Sequence, residues 1–477
     1  MFTRVQHRQH DEHVSTSNSR MSGTRSVSAM SSRHRVGMRQ EQQREPEQLF
    51  VKEQGGEAIE NAAADANPAG VPPASSKENH RDVVGPVGGE MRELSKYEVG
   101  WRRVVRNFSP SWFSVTMGTG IVSILFYFMP YNGRWLHYLS IIFFCLNVAL
   151  FTAAFVMSFL RYTLYPEIWS VMIRDPNNSL FLGTIPMGFA TIIEMWVFIC
   201  VPVWGPWATT FAWVLWMIDT IVAAGVTLSL SVLLMMHGHE IKSLERFTAA
   251  QLLPIAATIV AAGTGAEVAE VLPNKDHALG TIMTCYVLWG MGTPLAMAVL
   301  VMYYQRLALH KMPPREVIVS CFLPLGPLGF GGYSIMYLGK VAKVNFPTTS
   351  TLDPSAGSVM YVVGFFLALI MWGFGLVWFF IALVSIYKAR PFPFNMGWWG
   401  FTFPLGVFAA STIQIGIEMP SALFKVLGEI FSIAVILLWC LVAARTARGA
   451  WSGKLFFAPC LANLKKDGEA SEETIPA

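Results

Sequence analysis

The fold class this sequence predicts is an all-α polytopic membrane protein: ten transmembrane helices, arranged as five helical hairpins around a central pore, with the odd-numbered helices inside. Three observations predict it. Hydrophobic residues make up 53% of the 477, and they arrive in blocks of about 20, the length that crosses a hydrocarbon core about 30 Å thick. Charged residues make up only 14% and gather at block ends and in the tails. Helix-breaking Gly and Pro segments recur in alternate blocks.

The blocks fall near 111–130, 137–160, 181–203, 208–236, 248–272, 278–304, 316–338, 357–386, 397–417 and 421–444. Most joins are short, so sequence neighbours should be antiparallel partners. Trp101, Trp112, Trp135, Trp169, Trp204, Trp207, Trp398 and Trp399 lie near block ends, as an interfacial belt requires. In the joins between 101 and 450, fourteen Lys and Arg fall on the side that carries both termini, and five (Arg134, Lys275, Lys340, Lys343, Lys425) fall on the other. The positive-inside bias therefore predicts that both termini are cytoplasmic. Three regions follow: a cytoplasmic tail over 1–98, a ten-helix transport domain over 99–450, and a second cytoplasmic tail over 451–477.

Several classes are excluded or disfavoured. A net charge of +4, dispersed along the chain, gives no electrostatic footprint for nucleic acid. The six cysteines, five in or at the edge of apolar blocks and Cys460 in the C-terminal tail, have neither metal-ligand spacing nor a disulfide framework and read as free thiols packed as small hydrophobes. The first ~95 residues are polar, with no signal peptide, and too poor in apolar side chains to offset their chain entropy. Their Ser/Arg stretch at 15–32 reads either as a phosphorylation target or as an inert tail. His237-Gly238-His239-Glu240 does not complete a metal-ligand set and reads as a join. No phosphate-cradling Gly-rich loop with Lys-Ser/Thr occurs, and no nucleophile–base set is visible in a soluble segment. The reading is thus of a non-enzyme that needs no cofactor and whose surroundings are the lipid bilayer.

The alternation is the more specific signal. Odd blocks carry Met117-Gly118-Thr119-Gly120, Gly183-Thr184-Ile185-Pro186-Met187-Gly188, Leu253-Pro254 with Gly263-Thr264-Gly265, Leu323-Pro324-Leu325-Gly326-Pro327-Leu328-Gly329, and Phe403-Pro404-Leu405-Gly406. Even blocks are plainer, except the sixth, with Gly290, Gly292 and Pro294. Proline removes a backbone donor and kinks a helix. Freed backbone groups at membrane depth are tolerated only inside protein or beside a water-filled cavity. Hence Gly118, Thr119, Gly120, Pro186, Pro254, Pro324, Pro327 and Pro404 are the candidate lining and kink residues of a central path. No Lys or Arg falls mid-way along an odd block, and exposed amides at broken helix ends carry partial positive charge. Such a path suits a small, weakly hydrated anion that must bind and leave.

Glu194 and Asp219 are the carboxyls at depth; Glu267, Glu270 and Glu418 lie nearer block ends. Glu194 is either a protonatable group beside the path or a hydrogen-bonded carboxyl that ties two helices. Asp219, in an even block, reads as a structural pairing.

Trp398-Trp399-Gly400-Phe401-Thr402-Phe403-Pro404 resembles the ninth helix of the tellurite-resistance/dicarboxylate transporter family, to which plant slow-type anion channels and fungal malate transporters belong. The resemblance implies a homotrimer with one pore per protomer and a phenylalanine that plugs it, which falls on Phe403. Asn107-Phe108-Ser109-Pro110-Ser111-Trp112-Phe113, His237-Gly238-His239-Glu240 and the Leu323–Gly329 stretch are similar to the fungal sulfite efflux pumps. That likeness covers roughly 101–450. It implies sulfite or bisulfite export at the plasma membrane, driven by membrane potential, with a small inorganic anion as cargo. Proton-coupled malate transport is the alternative within the fold, and a membrane sensor acting through its N-terminal tail is the alternative outside it.

Overall fold

The computed structural model describes residues 100–175, 178–236, 244–310, 312–458 and 461. The predicted N-terminal tail, the join at 237–240 and most of the predicted C-terminal tail lie outside these residues. Among the described residues, ten helical segments are long and apolar enough to span a membrane: Pro110–Phe128, Arg134–Leu164, Ser179–Trp204, Pro206–Leu233, Ala249–Val271, Lys275–Leu309, Ile318–Thr348, Ala356–Ala389, Met396–Glu418 and Ala422–Trp451. We number them spans one to ten. Two short helices, Gly100–Arg106 and Glu167–Arg174, precede spans one and three.

Burial alternates as the Gly/Pro pattern requires. In the most apolar window of each odd span, between 67% and 100% of residues are buried; in the even spans the share runs from 22% to 39%. Spans one, three, five, seven and nine each touch the next, and nine closes onto one, which makes an inner ring of five helices. The even spans pack outside it. Their apolar side chains point outward, for example Phe159, Ile221, Val301, Ile370 and Leu437, all more than half exposed. Lipid solvates that surface at no cost, so an outer helix can be apolar all round.

Hydrogen bonds stitch the two layers in a cyclic order. Asn147 of span two donates to Thr191 of span three (3.0 Å), and Trp216 of span four to the Ala261 carbonyl of span five (2.8 Å). Trp289 of span six donates to the Gly331 carbonyl of span seven (2.8 Å), and Trp372 of span eight to Thr412 of span nine (2.9 Å). Trp439 of span ten donates to Thr119 of span one (3.1 Å) and closes the circuit. An indole N–H in hydrocarbon needs an acceptor, and a neighbouring helix is where one is found. Replacing Trp372 by Phe should remove about 0.6–1 kcal/mol. A small drop in thermal midpoint with transport retained is the expected outcome in a thermal-shift assay.

The prolines sit elsewhere than the kink expectation put them. Each odd span opens with a 3₁₀ turn: Pro110–Trp112, Ser179–Gly183, Ala249–Gln251, Ile318–Phe322 and Met396–Phe401. The α-helix that follows starts at Phe113, Thr184, Leu252, Leu325 and Thr402, and Pro186, Pro254, Pro327 and Pro404 are each its third residue. Pro324 is the residue just before its α-helix. A proline in the first turn lacks an N–H that has no intrahelical partner anyway. These prolines therefore begin helices rather than break them. Span three is irregular farther along, where Trp196–Cys200 forms a π-helical turn ahead of Pro202.

The aromatic belt also needs correction. Trp101, Trp135, Trp169, Trp204 and Trp207 are exposed at span ends, but Trp398 and Trp399 are buried. They belong to the 3₁₀ turn that leads span nine into the interior. Trp398 donates to the Pro393 carbonyl (2.8 Å) and Trp399 to Thr446 (3.1 Å). Trp112 packs between Phe108 and Phe456, so the chain just after span ten folds back onto the start of span one.

Candidate functional site

Two small cavities lie inside the ring, and each takes side chains from all five odd spans. The proximal cavity, toward the N-terminal ends of those spans, has a volume of about 20 Å³. It is lined by Met117, Met187, Leu252, Leu253, Ala256, Leu323, Gly326, Pro327, Phe403 and Pro404. The distal cavity, toward the C-terminal ends, has about 10 Å³. Its lining is Ile121, Ile124, Phe128, Glu194, Glu267, Phe330, Tyr333, Ala410, Ile413 and Gln414.

The two linings are the same helical faces continued. Met117, Ile121, Ile124 and Phe128 step by three and four residues along span one. Met187 and Glu194 are seven apart in span three, as are Phe403 and Ala410 in span nine. Residues at those intervals share one face of an α-helix. A single stripe per odd span thus runs past both cavities. Adjacent helices of the ring meet closely here: a Cβ on Gly406 would lie 2.6 Å from Cγ1 of Ile121, and the Phe330 ring lies against Gly263. A cavity of about 10–15 Å³ holds one water, so each of these spaces has room for about one water molecule.

The two cavities differ electrostatically. Five α-helices start around the proximal cavity, and most of its lining comes from their first turns. Aligned peptide dipoles leave partial positive charge at those ends. No charged side chain lines this cavity. The distal cavity holds two carboxyls. Glu194 accepts from the Thr264 hydroxyl (2.7 Å) and Glu267 from the Tyr333 hydroxyl (2.6 Å). Farther out, Gln414 donates to Glu418 (2.9 Å), which also accepts from Tyr361 (2.8 Å), while Tyr337 donates to Glu270. Glu270 pairs with Lys340 at 3.0 Å.

The predicted residues divide accordingly. Phe403, second residue of its α-helix and 3% exposed, faces the proximal cavity beside Pro404 and Pro327. Pro186 and Pro254 are buried next to lining residues without lining either cavity. Gly118, Thr119 and Gly120 lie off the lining face. Gly118 admits the Trp399 ring and Thr402, Gly120 abuts Thr191 and Asn147, and Thr119 receives Trp439. Glu194 lines the distal cavity and is tied to span five through Thr264, as the reading of a carboxyl that joins two helices requires. Asp219 departs from expectation: it is 1% exposed, yet no hydrogen bond reaches either carboxyl oxygen among the described residues.

Tyr333, Phe330 and Gln414 are among the lining residues that the sequence did not single out, and Glu267, read as lying near a block end, reaches the distal cavity. Gln414 lies eleven residues, about three helical turns, beyond Phe403, and Glu267 lies three beyond Thr264. Following the face of Phe403 along span nine, and the face of Thr264 and its neighbours along span five, leads to these two.

Residues 107–447 match the voltage-dependent anion channel family. The chain is 52% identical over 352 residues to the sulfite efflux pump of Arthroderma benhamiae, which covers 74% of this chain and 93% of that protein. It is 28% identical to the sulfite efflux pump of Candida albicans, over 75% of this chain and 78% of that one. Identity to the malic acid transport protein of Schizosaccharomyces pombe is 24%, over 71% and 77%. With the ten spans and the ring of five, these matches place the chain in the voltage-dependent anion channel family, as a multi-pass membrane protein.

Proposed function

We propose that the protein exports sulfite or bisulfite across the fungal plasma membrane, along the axis of the inner ring and down the membrane potential. The carrying observation is the pair of cavities that share one stripe of residues from all five odd spans, with helix N-termini gathered around the proximal one. Phe403 is the steric gate at that end. With both termini cytoplasmic, the proximal cavity faces the cytosol, where the exported anion is met first by the positive ends of five dipoles. An inside-negative potential contributes ~2.3 kcal/mol per charge per 100 mV, so a monoanion leaves downhill and a gated uniport path suffices. The prolines of the first turns and Gly118 fix where span nine enters the ring, and with it where Phe403 sits. The family resemblance adds a homotrimer with one path per protomer, which the mass of the detergent-solubilised protein would check.

The 52% identity to a sulfite efflux pump supports this cargo. A second reading, proton-coupled malate transport, draws on Glu194 at the distal cavity and on the malic acid transport relative. The experiment is anion flux in proteoliposomes at clamped potential, with sulfite and malate compared with and without a pH gradient. Sulfite flux that follows the potential and persists without the gradient is expected. Malate flux that requires the gradient would replace sulfite as the cargo. Transport that survives deletion of residues 1–98 would confine any sensor role of that tail to regulation.

A further inference from the structure

We propose that Glu194 and Glu267 form a proton-binding site on the distal cavity, and that its proton occupancy governs how readily the anion leaves. This rests on the transport reading above and names a determinant that the reading lacks.

The geometry is a cluster with a cavity at its centre. Glu194 reaches the cavity from span three and Glu267 from span five, and both are 2% exposed. Each accepts one hydroxyl hydrogen bond, from Thr264 and Tyr333. The second oxygen of Glu267 is buried and has no hydrogen-bond partner. Span four adds the unbonded carboxyl of Asp219, within electrostatic reach of Glu194.

The surroundings offer little to balance negative charge. Span one contributes Ile121, Ile124 and Phe128, and span nine contributes Gln414, Ile413 and Ala410. Span six brings the Cys285 thiol against Gly265. Span seven brings Tyr333 and Tyr337, both hydroxyl donors to carboxylates, and Lys340, whose ammonium is engaged by Glu270 at 3.0 Å. Glu418, farther out at this end, is held by Gln414 and Tyr361, and Asp276, Asp353 and Glu429 are the other acids of this side.

A buried carboxylate without a cation is costly, and a proton is the counter-charge that fits a cavity of this size. The two protonation states do opposite things to a departing anion. With protons bound, the pair is uncharged and its O–H groups can donate to an anion oxygen. With the protons released to the outer solvent, two negative charges face the exit. Alkaline medium on the distal side should therefore slow export, and acid medium should speed it.

The test uses the full-length protein in voltage-clamped cells. Cytosolic pH is held constant, so the sulfite/bisulfite ratio at the proximal end does not change, and external pH is stepped. Wild-type efflux should fall on the order of tenfold between acid and alkaline medium. In Glu194→Gln/Glu267→Gln the amides keep shape and donors but cannot ionise. Its efflux should exceed the wild type's at alkaline pH on the order of tenfold and ignore external pH. A double variant at normal surface level that follows the wild-type curve overturns the proposal, and so does a flat wild-type curve. Infrared difference spectra of the purified protein on a pH jump give a readout free of cargo. A protonated-carboxyl band that the double variant loses supports the site even if no sulfite is carried, in which case the cargo alone was wrong. A band unchanged in the double variant overturns the site.

Discussion

Replacing Phe403 by alanine should raise sulfite flux at fixed potential by roughly tenfold or more, equivalent to removing ~1.4 kcal/mol from the barrier. The ring sits in the first turn of its α-helix, where the proline after it and the 3₁₀ turn before it leave the backbone little freedom. It shares the proximal cavity with Met117, Met187, Leu253 and Leu323. Loss of the ring opens space on the path itself, where water and anion can take it. The control is Phe401→Ala. Phe401 is also buried, but it packs edge-on against Phe322 and Trp398 away from the cavity. That variant should lose about 3 kcal/mol or more of packing and gain no flux. Equal flux gains in both variants would mean that loosening span nine, rather than clearing a gate, opens the path.

Much of this architecture was legible in the sequence because the bilayer imposes a length and a polarity on every span. The ten blocks and the inside position of the odd spans came from that constraint, and from small residues that only close packing or a cavity can use. What misled was local chemistry with two physical outcomes. Lys340 and Lys343 suggested that span seven ends near 338. It runs to Thr348, because Lys340 pairs with Glu270 and Lys343 lies over the Tyr361 ring at 4.4 Å. The prolines looked like mid-helix kinks, since one sequence cannot say whether a proline breaks a helix or starts it. Trp398 and Trp399 looked interfacial because tryptophan serves equally at a headgroup and in a packed turn. The carboxyl pair was missed for another reason. Glu194 and Glu267 are 73 residues apart, and only the closure of the ring brings them to one cavity. The motif resemblance located Phe403, but the rest of its helical face had to be followed turn by turn.

Gly364→Leu should nearly abolish the folded protein, with surface level down on the order of tenfold. Spans seven and eight meet backbone to backbone along a seam of glycines at seven-residue intervals: Gly332 and Gly339 on one, Gly357 and Gly364 on the other. Seven residues are close to two helical turns, so each pair stays on one face. A Cβ at Gly364 would lie 2.5 Å from the Ile335 carbonyl oxygen, and one at Gly339 would lie 2.6 Å from that of Met360. The obstacle is backbone, which cannot rotate aside as a side chain does, so the helices must separate. Separation costs more than the ~1–3 kcal/mol of ordinary overpacking, because the tight dispersion contact of the whole seam weakens. In lipid no hydrophobic effect restores it. Gly373, on the same helix, has nothing within 4 Å of its added Cβ. Gly373→Leu should therefore express at the wild-type level, since it adds only an apolar side chain on open space. Fluorescence-detected size exclusion of the two variants checks the contrast. Equal loss in both would show that span eight tolerates no bulk anywhere and that the seam is not what joins it to span seven. Span seven carries Phe330 and Tyr333 into the distal cavity and Pro327 into the proximal one. The same glycine seam that holds span eight to the ring thus sets the position of a wall of both cavities.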